Sequence, residues 1–358
     1  MEKLYKLNFY PGPSRLYDKI PLFAEEGFAK GILSMNHRSI AFEELYRMTQ
    51  EKLFAALNVP EGYHLAFVSS ATECWEIIAQ SLTQFKSYHV YNGSFGKKWF
   101  EYAKKLKPDA VGFEFGVDEL LKPEEMDVPL DNEWICITQN ETSNGTQVHD
   151  EILKEIRKVF LDQYIAIDAT SSLGGIDLEI ANADIWFASV QKCFGMPSGL
   201  GLLIYSDHVR SKAEQIGENN HYNSFLNIAQ NADKFQTQYT PNILDIYLLF
   251  RVLEEVPNVR ITDEIITSRA QHLYQYFQGF GEFQPITQNP YSYSDTVLAF
   301  KGSEGFVADL KKTAQHHGII LGNGYGDWKK ESFRIANFPA IHNAEFEQLV
   351  KFFDHYSD

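Results

Sequence analysis

Cysteine is scarce. Cys74, Cys136 and Cys193 are the three in 358 residues, widely spaced, with no CxxC pair and no Cys/His cluster. That argues against a metal site and a disulfide framework, and it is the usage expected in a reducing compartment. Positive charge is in short supply as well: 32 Lys and Arg stand against 48 Asp and Glu, a formal net charge of −16. Nucleic acid and anionic membrane surfaces need clustered cations, so neither is expected as a partner, although a local basic pocket for a small anion is compatible with this balance. No apolar run approaches membrane-spanning length, and MEKLYKLNFYPGPSRLYDKI places proline and charges where a secretory signal needs an unbroken apolar core. Repeats, low-complexity tracts and long linkers are missing too. The expectation is a cytoplasmic protein whose partners are small molecules, with no membrane association and no bound metal.

What is present is apolar and patterned. With 44% hydrophobic and 14% aromatic residues the chain can bury a large core, and its length suggests two domains. Phe42, Leu45, Tyr46, Leu53, Ala56 and Leu57 share one face at a 3.6 period, so Ala41 to Leu57 is predicted to be helical. Seven strand-like runs follow, alternating with helical patterns: HLAFVSS (64–70), YHVYN (88–92), VGFEF (111–115), WICITQ (134–139), YIAIDA (164–169), DIWFASV (184–190) and LGLLIY (200–205). Such alternation predicts an α/β unit with a mainly parallel seven-stranded sheet between helices. From about Tyr247 the pattern changes to helices over 243–256 and 263–280, then DTVLAF (295–300), a helix over 304–316, GIIL (318–321) and SFRIA (332–336). That is a smaller α+β unit. The domains are expected at 16–245 and 246–358, with residues 1–15 a candidate to pack on the second and a cleft between the two.

The ends of the predicted strands carry the chemistry. FVSSATECWEII passes from a strand through Ser69, Ser70, Ala71 and Thr72 into a helix, a place where backbone N–H groups receive an anion. YNGSFGKKWF offers Phe95 in the next strand-end loop, and TQNETSNGTQV is a polar loop after another strand. YIAIDATSSLGG leaves Asp168 at the end of a buried strand, where a carboxylate needs something to pair with it. DIWFASVQKCFG delivers Lys192 in the same way. Taken in order, this set suits one flat, phosphorylated, basic heterocycle: phosphate on the helix start, ring on Phe95, protonated ring nitrogen on Asp168, aldehyde carbon on Lys192. Pyridoxal 5′-phosphate meets that description.

The motifs NFYPGP, NHRSIAFEELY, NGSFGKKW, NETSNG, DATSSLGG, SVQKCFGMPSGLG and QYTPNILDIYLL together resemble the class V pyridoxal-phosphate aminotransferases of fold type I, over essentially the whole chain. Within that class the chain is most similar to the phosphoserine aminotransferases. The resemblance implies a homodimer with shared active sites, in which glutamate and 3-phosphohydroxypyruvate exchange an amino group by a ping-pong route. It implies that Lys192 holds the cofactor and moves the substrate proton, that Asp168 keeps the ring nitrogen protonated, and that Phe95 stacks where these enzymes usually have Trp. Thr142 would hydrogen-bond the cofactor, and the Ala71 and Thr72 amides with Gln191 would hold its phosphate. Tyr239 and Thr240 match the segment that reaches the neighbouring subunit's cofactor phosphate. Arg334 matches the arginine for the substrate α-carboxylate, and His37 and Arg38 match residues lining the side-chain end of the substrate pocket.

The chain departs from the phosphoserine branch at two places. SSAT stands where a glycine-rich loop with an arginine is usual, and GNGYGDWKKESFRIANFPA lacks the Lys-Gly-His-Arg segment that helps hold the substrate phosphate. SSATE and FRIAN read more like the alanine–glyoxylate and serine–pyruvate branch, which is the alternative. A desulfurase or lyase of the same fold would need a cysteine on a loop of the smaller unit, whereas all three cysteines precede residue 194. A non-catalytic scaffold would have no need to retain Lys192 and Asp168.

Overall fold

The computed structural model describes residues 5–356, so the first four residues of the expected 1–15 arm lie outside the described part. The chain starts with β1 (Leu7–Phe9), α1 (Ile20–Ala29) and α2 (Ile40–Leu57). Ser39 caps α2 by accepting from the Phe42 amide, and Asn58 closes it in a left-handed conformation. Phe42, Leu45, Tyr46, Leu53 and Leu57 are buried, which is the predicted face. Then come β2 (Tyr63–Val68), α3 (Ala71–Ile77), β3 (Lys86–Tyr91), α4 (Ser94–Leu106), β4 (Val111–Glu114), β5 (Asn132–Thr138), the short pair β6 (Asn140–Glu141) and β7 (Thr146–Gln147), α5 (Asp150–Val159), β8 (Tyr164–Asp168), β9 (Ile185–Ser189) and β10 (Gly201–Ser206).

Seven of these strands form one sheet in the order β2-β10-β9-β8-β5-β3-β4. The expected mixed α/β architecture with a mainly parallel seven-stranded sheet is what the chain adopts. β10 departs from the parallel pattern: it runs antiparallel to both β9 and β2. Its apolar run cannot reveal this, because a strand buried on both faces reads the same in either direction. The polar TQNETSNGTQV loop turns out to be the β6–β7 hairpin, tightened by Gly145 at φ 72°.

The second half supplies α6 (Asp207–Ile216), α7 (Phe225–Ala232), α8 (Ile243–Leu253), α9 (Val259–Phe277), β11 (Phe283–Pro285), β12 (Val297–Gly302), α10 (Glu304–His316), β13 (Ile319–Asn323), β14 (Ser332–Ala336) and α11 (Asn343–Tyr356). α8 stops short of the predicted residue 256 because Pro257 follows, and α9 starts earlier than predicted because Asn258 accepts from the Arg260 amide and caps it. A second sheet has the order β1-β13-β14-β12-β11. Two apolar clusters result. The first packs both faces of the large sheet and takes in Ile246, Leu249, Val252 and Val259. The second is rich in phenylalanine, with Phe277 and Phe300 at 4.9 Å and Phe283 and Phe333 at 5.1 Å in edge-to-face contact.

The N-terminal segment ties the two together. β1 pairs in parallel with β13, Leu7 opposite Ile319 and Phe9 opposite Leu321. The chain then crosses to the large sheet, where the Ser14 amide donates to the Gln191 carbonyl and the Tyr17 amide to the Gly195 carbonyl. At Gly12, φ is 136° and a Cβ would lie 2.9 Å from Lys192 Cε, so NFYPGP needs its glycine for close approach. Phe9 is fully buried, its ring 5.1 Å from Phe346. Phe9→Ala is expected to cost about 3–5 kcal/mol, read as a lower urea midpoint. Leu130→Ala, at a fully exposed site, is expected to change it by less than about 0.5 kcal/mol.

Candidate active site

Strands β5, β8 and β9 end side by side, and each leaves a functional group at its carboxyl end. Asp168 is the last residue of β8 and is buried. Its Oδ1 accepts from the Thr170 amide at 2.9 Å and from the Thr170 hydroxyl; its Oδ2 accepts from Trp75 Nε1 at 3.1 Å. Burial pushes its pKa up, and the Thr170 and Trp75 hydrogen bonds and the Lys192 charge pull against that. Among the described residues Asp168 makes no ion pair.

Lys192 follows β9 and is 8% exposed. Its Nζ donates to Thr142 Oγ1 at 3.0 Å and lies 5.4 Å from the centre of the Phe95 ring. Burial pushes its pKa down to about 8, with Arg334 reinforcing and Asp168 opposing. Thr142, from the β6–β7 turn, also donates its hydroxyl to Ser171 at 2.9 Å, and its carbonyl accepts from Arg334 Nη1 at 2.7 Å. One residue therefore touches both the ammonium of the large sheet and the guanidinium of the small one.

Arg334 is the middle residue of β14, between β12 and β13, with Phe333 and Ile335 in the core. It is 4% exposed, on an interior strand. Its Nε donates to the Asn323 carbonyl at 2.7 Å, and burial lowers its pKa. Its hydrogen bonds go to backbone carbonyls, and among the described residues no carboxylate pairs with it. A fork with free donors inside a cleft is suited to an incoming carboxylate.

Phe95 opens α4, and its placement depends on a residue that sequence reasoning missed. The buried Glu141 carboxylate accepts from the Phe95 and Gly96 amides at 3.1 Å each and from the Ser143 amide at 3.0 Å. It thus satisfies the first turn of α4 and fixes the ring. In the sequence Glu141 was one polar residue among several in a turn. Trp75 was missed in a similar way, since a lone Trp in an amphipathic helix reads as core. Tyr325, in the loop after β13, stacks on Phe95 at 4.9 Å and 22°, and Lys98 of α4 donates to its hydroxyl.

The Ser70 hydroxyl caps α3 by accepting from the Glu73 amide, while the Glu73 carboxylate accepts from the Ser69 amide and hydroxyl. The Ala71 amide donates to Ser189 Oγ at 2.8 Å, and Thr72 is exposed beside it. Gln191 is half-buried next to Lys192. The remaining sequence-predicted residues lie elsewhere. Arg38 is exposed and donates to Asn231, Gln236 and the Gln238 carbonyl; Tyr239 stacks on Tyr222 at 4.2 Å. Tyr239 and Thr240 line a cavity of about 140 Å³ together with Ser69, Glu73 and Gly199. His37 is half-buried next to Arg38, its pKa lowered by burial and by that charge. Among the described residues no hydrogen bond joins this patch to Lys192, Asp168 or Arg334.

Comparison with known proteins fits this arrangement. The family described as Aminotransferase class-V matches residues 11–326. The phosphoserine aminotransferase of Corynebacterium glutamicum strain R is 27% identical over 353 residues, covering 95% of this chain and 91% of that protein. The crystal structure of a phosphoserine aminotransferase from Cytophaga hutchinsonii superposes with a TM-score of 0.91 at 32% identity, covering 98% of both chains. An alanine–glyoxylate aminotransferase from Nostoc sp., at 16% identity and a TM-score of 0.85 over 100% of this chain and 97% of that one, shares the fold.

The first glycine of NGSFG answers to Glu141. A Cβ on Gly93 would fall 2.3 Å from Glu141 Cγ. Gly93→Ala is expected to displace the carboxylate from the α4 amides at a cost of about 1–3 kcal/mol, measured by urea unfolding.

Proposed function

The chain belongs to the class V aminotransferases, and from that premise we propose that it exchanges an amino group between glutamate and 3-phosphohydroxypyruvate. The observation that carries the reading is a set of three charges, on Asp168, Lys192 and Arg334, all buried and none ion-paired among the described residues. Buried charges left in that state need a ligand to complete them. Pyridoxal 5′-phosphate, the cofactor of this family, fits the set: a carboxylate for its ring nitrogen, an amine for its aldehyde carbon and an aromatic face for its ring. When bound, it supplies an electron-withdrawing ring that stabilises charge at the substrate Cα and stores the amino group between half-reactions.

The roles we assign to this chain's residues follow from their chemistry. Asp168 holds the proton on the ring nitrogen, with Thr170 and Trp75 fixing the carboxylate and opposing the upward push of burial on its pKa. Lys192, with its pKa lowered to about 8, has an appreciable neutral fraction near neutral pH and moves the substrate Cα proton as a base. Thr142 orients that amine. Phe95 stacks on the ring. Arg334 takes the substrate α-carboxylate on its fork. With the Ala71 amide held by Ser189, Thr72 and Gln191 are left to meet the cofactor phosphate.

His37, Arg38, Tyr239 and Thr240 we assign to the site of a second subunit, in a homodimer with shared active sites. Their common position on an exposed patch, with no hydrogen bond to the Lys192 group, supports this. Among the described residues no helix is long and apolar enough to cross a membrane. The three free, buried cysteines are consistent with a cytoplasmic setting. We place the division between the two units near residue 260, because α8 and Val259 are buried in the first apolar cluster.

The test is the half-reaction of purified holoenzyme, followed as loss of the visible absorbance of the lysine-bound cofactor. O-phospho-L-serine and L-glutamate are expected to convert it, and L-alanine is not. Conversion by alanine with none by phosphoserine would move the protein to the alanine–glyoxylate type. Lys192→Ala is expected to lose borohydride-fixable cofactor and at least about 10³-fold in rate with every donor, because the proton carrier is gone.

A further inference from the structure

One cation at the site has a partner that is not an acid. Lys98 is half-buried on α4, and among the described residues no carboxylate lies within ion-pair distance of its ammonium. Its hydrogen bond goes to the Tyr325 hydroxyl, and it lies 4.7 Å from the Tyr325 ring centre and 5.8 Å from that of Phe95. In a chain with a net charge of −16, a lysine with no ion-pair partner among the described residues and set against two aromatic faces is left able to meet an anion from outside.

The same two rings locate it relative to the reacting groups. Phe95 has Lys192 Nζ 5.4 Å from its centre, and Tyr325 has Arg334 Cζ 5.7 Å from its centre. Lys98 is therefore one ring removed from the amine that acts on the substrate Cα and one ring removed from the fork proposed for the α-carboxylate. A donor seated on Arg334 with its side chain running past the Tyr325 ring presents its distal group to Lys98. The loop that brings Tyr325 is pinned to the same helix. Gly326 has φ 56°, and a Cβ there would lie 2.2 Å from Ser94 Oγ, so the loop meets the start of α4 at close range in a conformation that favours glycine. This is the loop that stands in place of the family's His-Arg segment, and it brings an aromatic hydroxyl to a lysine already on α4.

We propose that Lys98 is a specificity-determining residue that binds the distal anionic group of the amino donor, and that Tyr325 is the positioning residue that holds the ammonium there. The proposal rests on the function assigned above and supplies a cation that the sequence lacks at the two expected places. The chemistry it selects is a second negative group, carboxylate or phosphate, at the far end of an α-amino acid. A doubly charged phosphate should depend on it more than a carboxylate does.

The experiment compares kcat/KM of the half-reaction for O-phospho-L-serine, L-glutamate and L-alanine in wild-type holoenzyme, Lys98→Met, Lys98→Arg and Tyr325→Phe. Losing a charge-assisted hydrogen bond in Lys98→Met is expected to lower the phosphoserine-to-alanine ratio by about ten- to a hundred-fold, mainly through KM, with a smaller fall for glutamate. Lys98→Arg is expected to recover most of the ratio. Tyr325→Phe keeps the ring and loses the hydroxyl, and is expected to shift the ratio in the same direction by less. A ratio unchanged in Lys98→Met, or a loss shared equally by all three donors and not recovered by Lys98→Arg, overturns the proposal while leaving the assigned reaction standing. A wild-type enzyme that does not convert phosphoserine or glutamate overturns the assigned reaction, and this proposal with it.

Discussion

Lys192 is held at its tip by one hydrogen bond to Thr142, and the carbonyl of the same threonine holds Arg334. Everything else at the site is arranged around this short bridge. The large sheet contributes the amine, the small sheet the guanidinium, and the β6–β7 turn sets their separation. The N-terminal segment closes the arrangement from the other side: β1 adds to the small sheet, and Gly12 then lies against the Lys192 stem. Joining the two sheets through hydrogen bonds and one close glycine contact leaves two like charges turned into the cleft with no carboxylate paired to either.

The arrangement is costly in the free protein. Asp168, Glu141, Lys192 and Arg334 are all buried, and none has an ion-pair partner among the described residues. Hydrogen bonds take the place of counter-ions: Thr170 and Trp75 for Asp168, backbone amides for Glu141, backbone carbonyls for Arg334. Such bonds reduce the desolvation penalty without removing it. The two apolar clusters offset what remains, and the packing behind the site is dense, with Trp75, Trp99 and Phe187 forming an aromatic wall beneath the Asp168 carboxylate. A cofactor with a basic nitrogen and a carbonyl meets Asp168 and Lys192, and a substrate carboxylate meets Arg334.

How much of this the sequence discloses depends on how far apart the partners lie along the chain. Asp168 and Lys192 are legible because each ends an apolar run, a place where a charge is conspicuous. Arg334 stands out too, between Phe333 and Ile335, although only the strand order shows that β14 is interior. Trp75 is 93 residues from Asp168, Glu141 is 45 from the Gly96 amide that it accepts, and Tyr325 is 227 from Lys98. No local pattern marks any of these, since each residue type is commonplace in its own segment and acquires its role from topology. β10 was legible as a strand and illegible as an antiparallel one for the same reason.

The claim at the centre of this account is that Lys192 is buried without an ion-pair partner among the described residues, and that burial outweighs the more distant Asp168 charge. Its pKa in the folded chain, lowered to about 8, lies below the 10.5 of a free lysine, so the buried amine opposes folding while it is protonated in both states, and this opposition fades as pH rises through that interval. The decisive measurement is the urea midpoint of cofactor-free wild type and Lys192→Met, taken at about pH 7 and again at about pH 10. The account expects the methionine variant to be the more stable at the lower pH, by on the order of 3 kcal/mol, with the margin shrinking at the higher pH. A margin that does not change with pH, or a wild type that is the more stable at pH about 7, would contradict it.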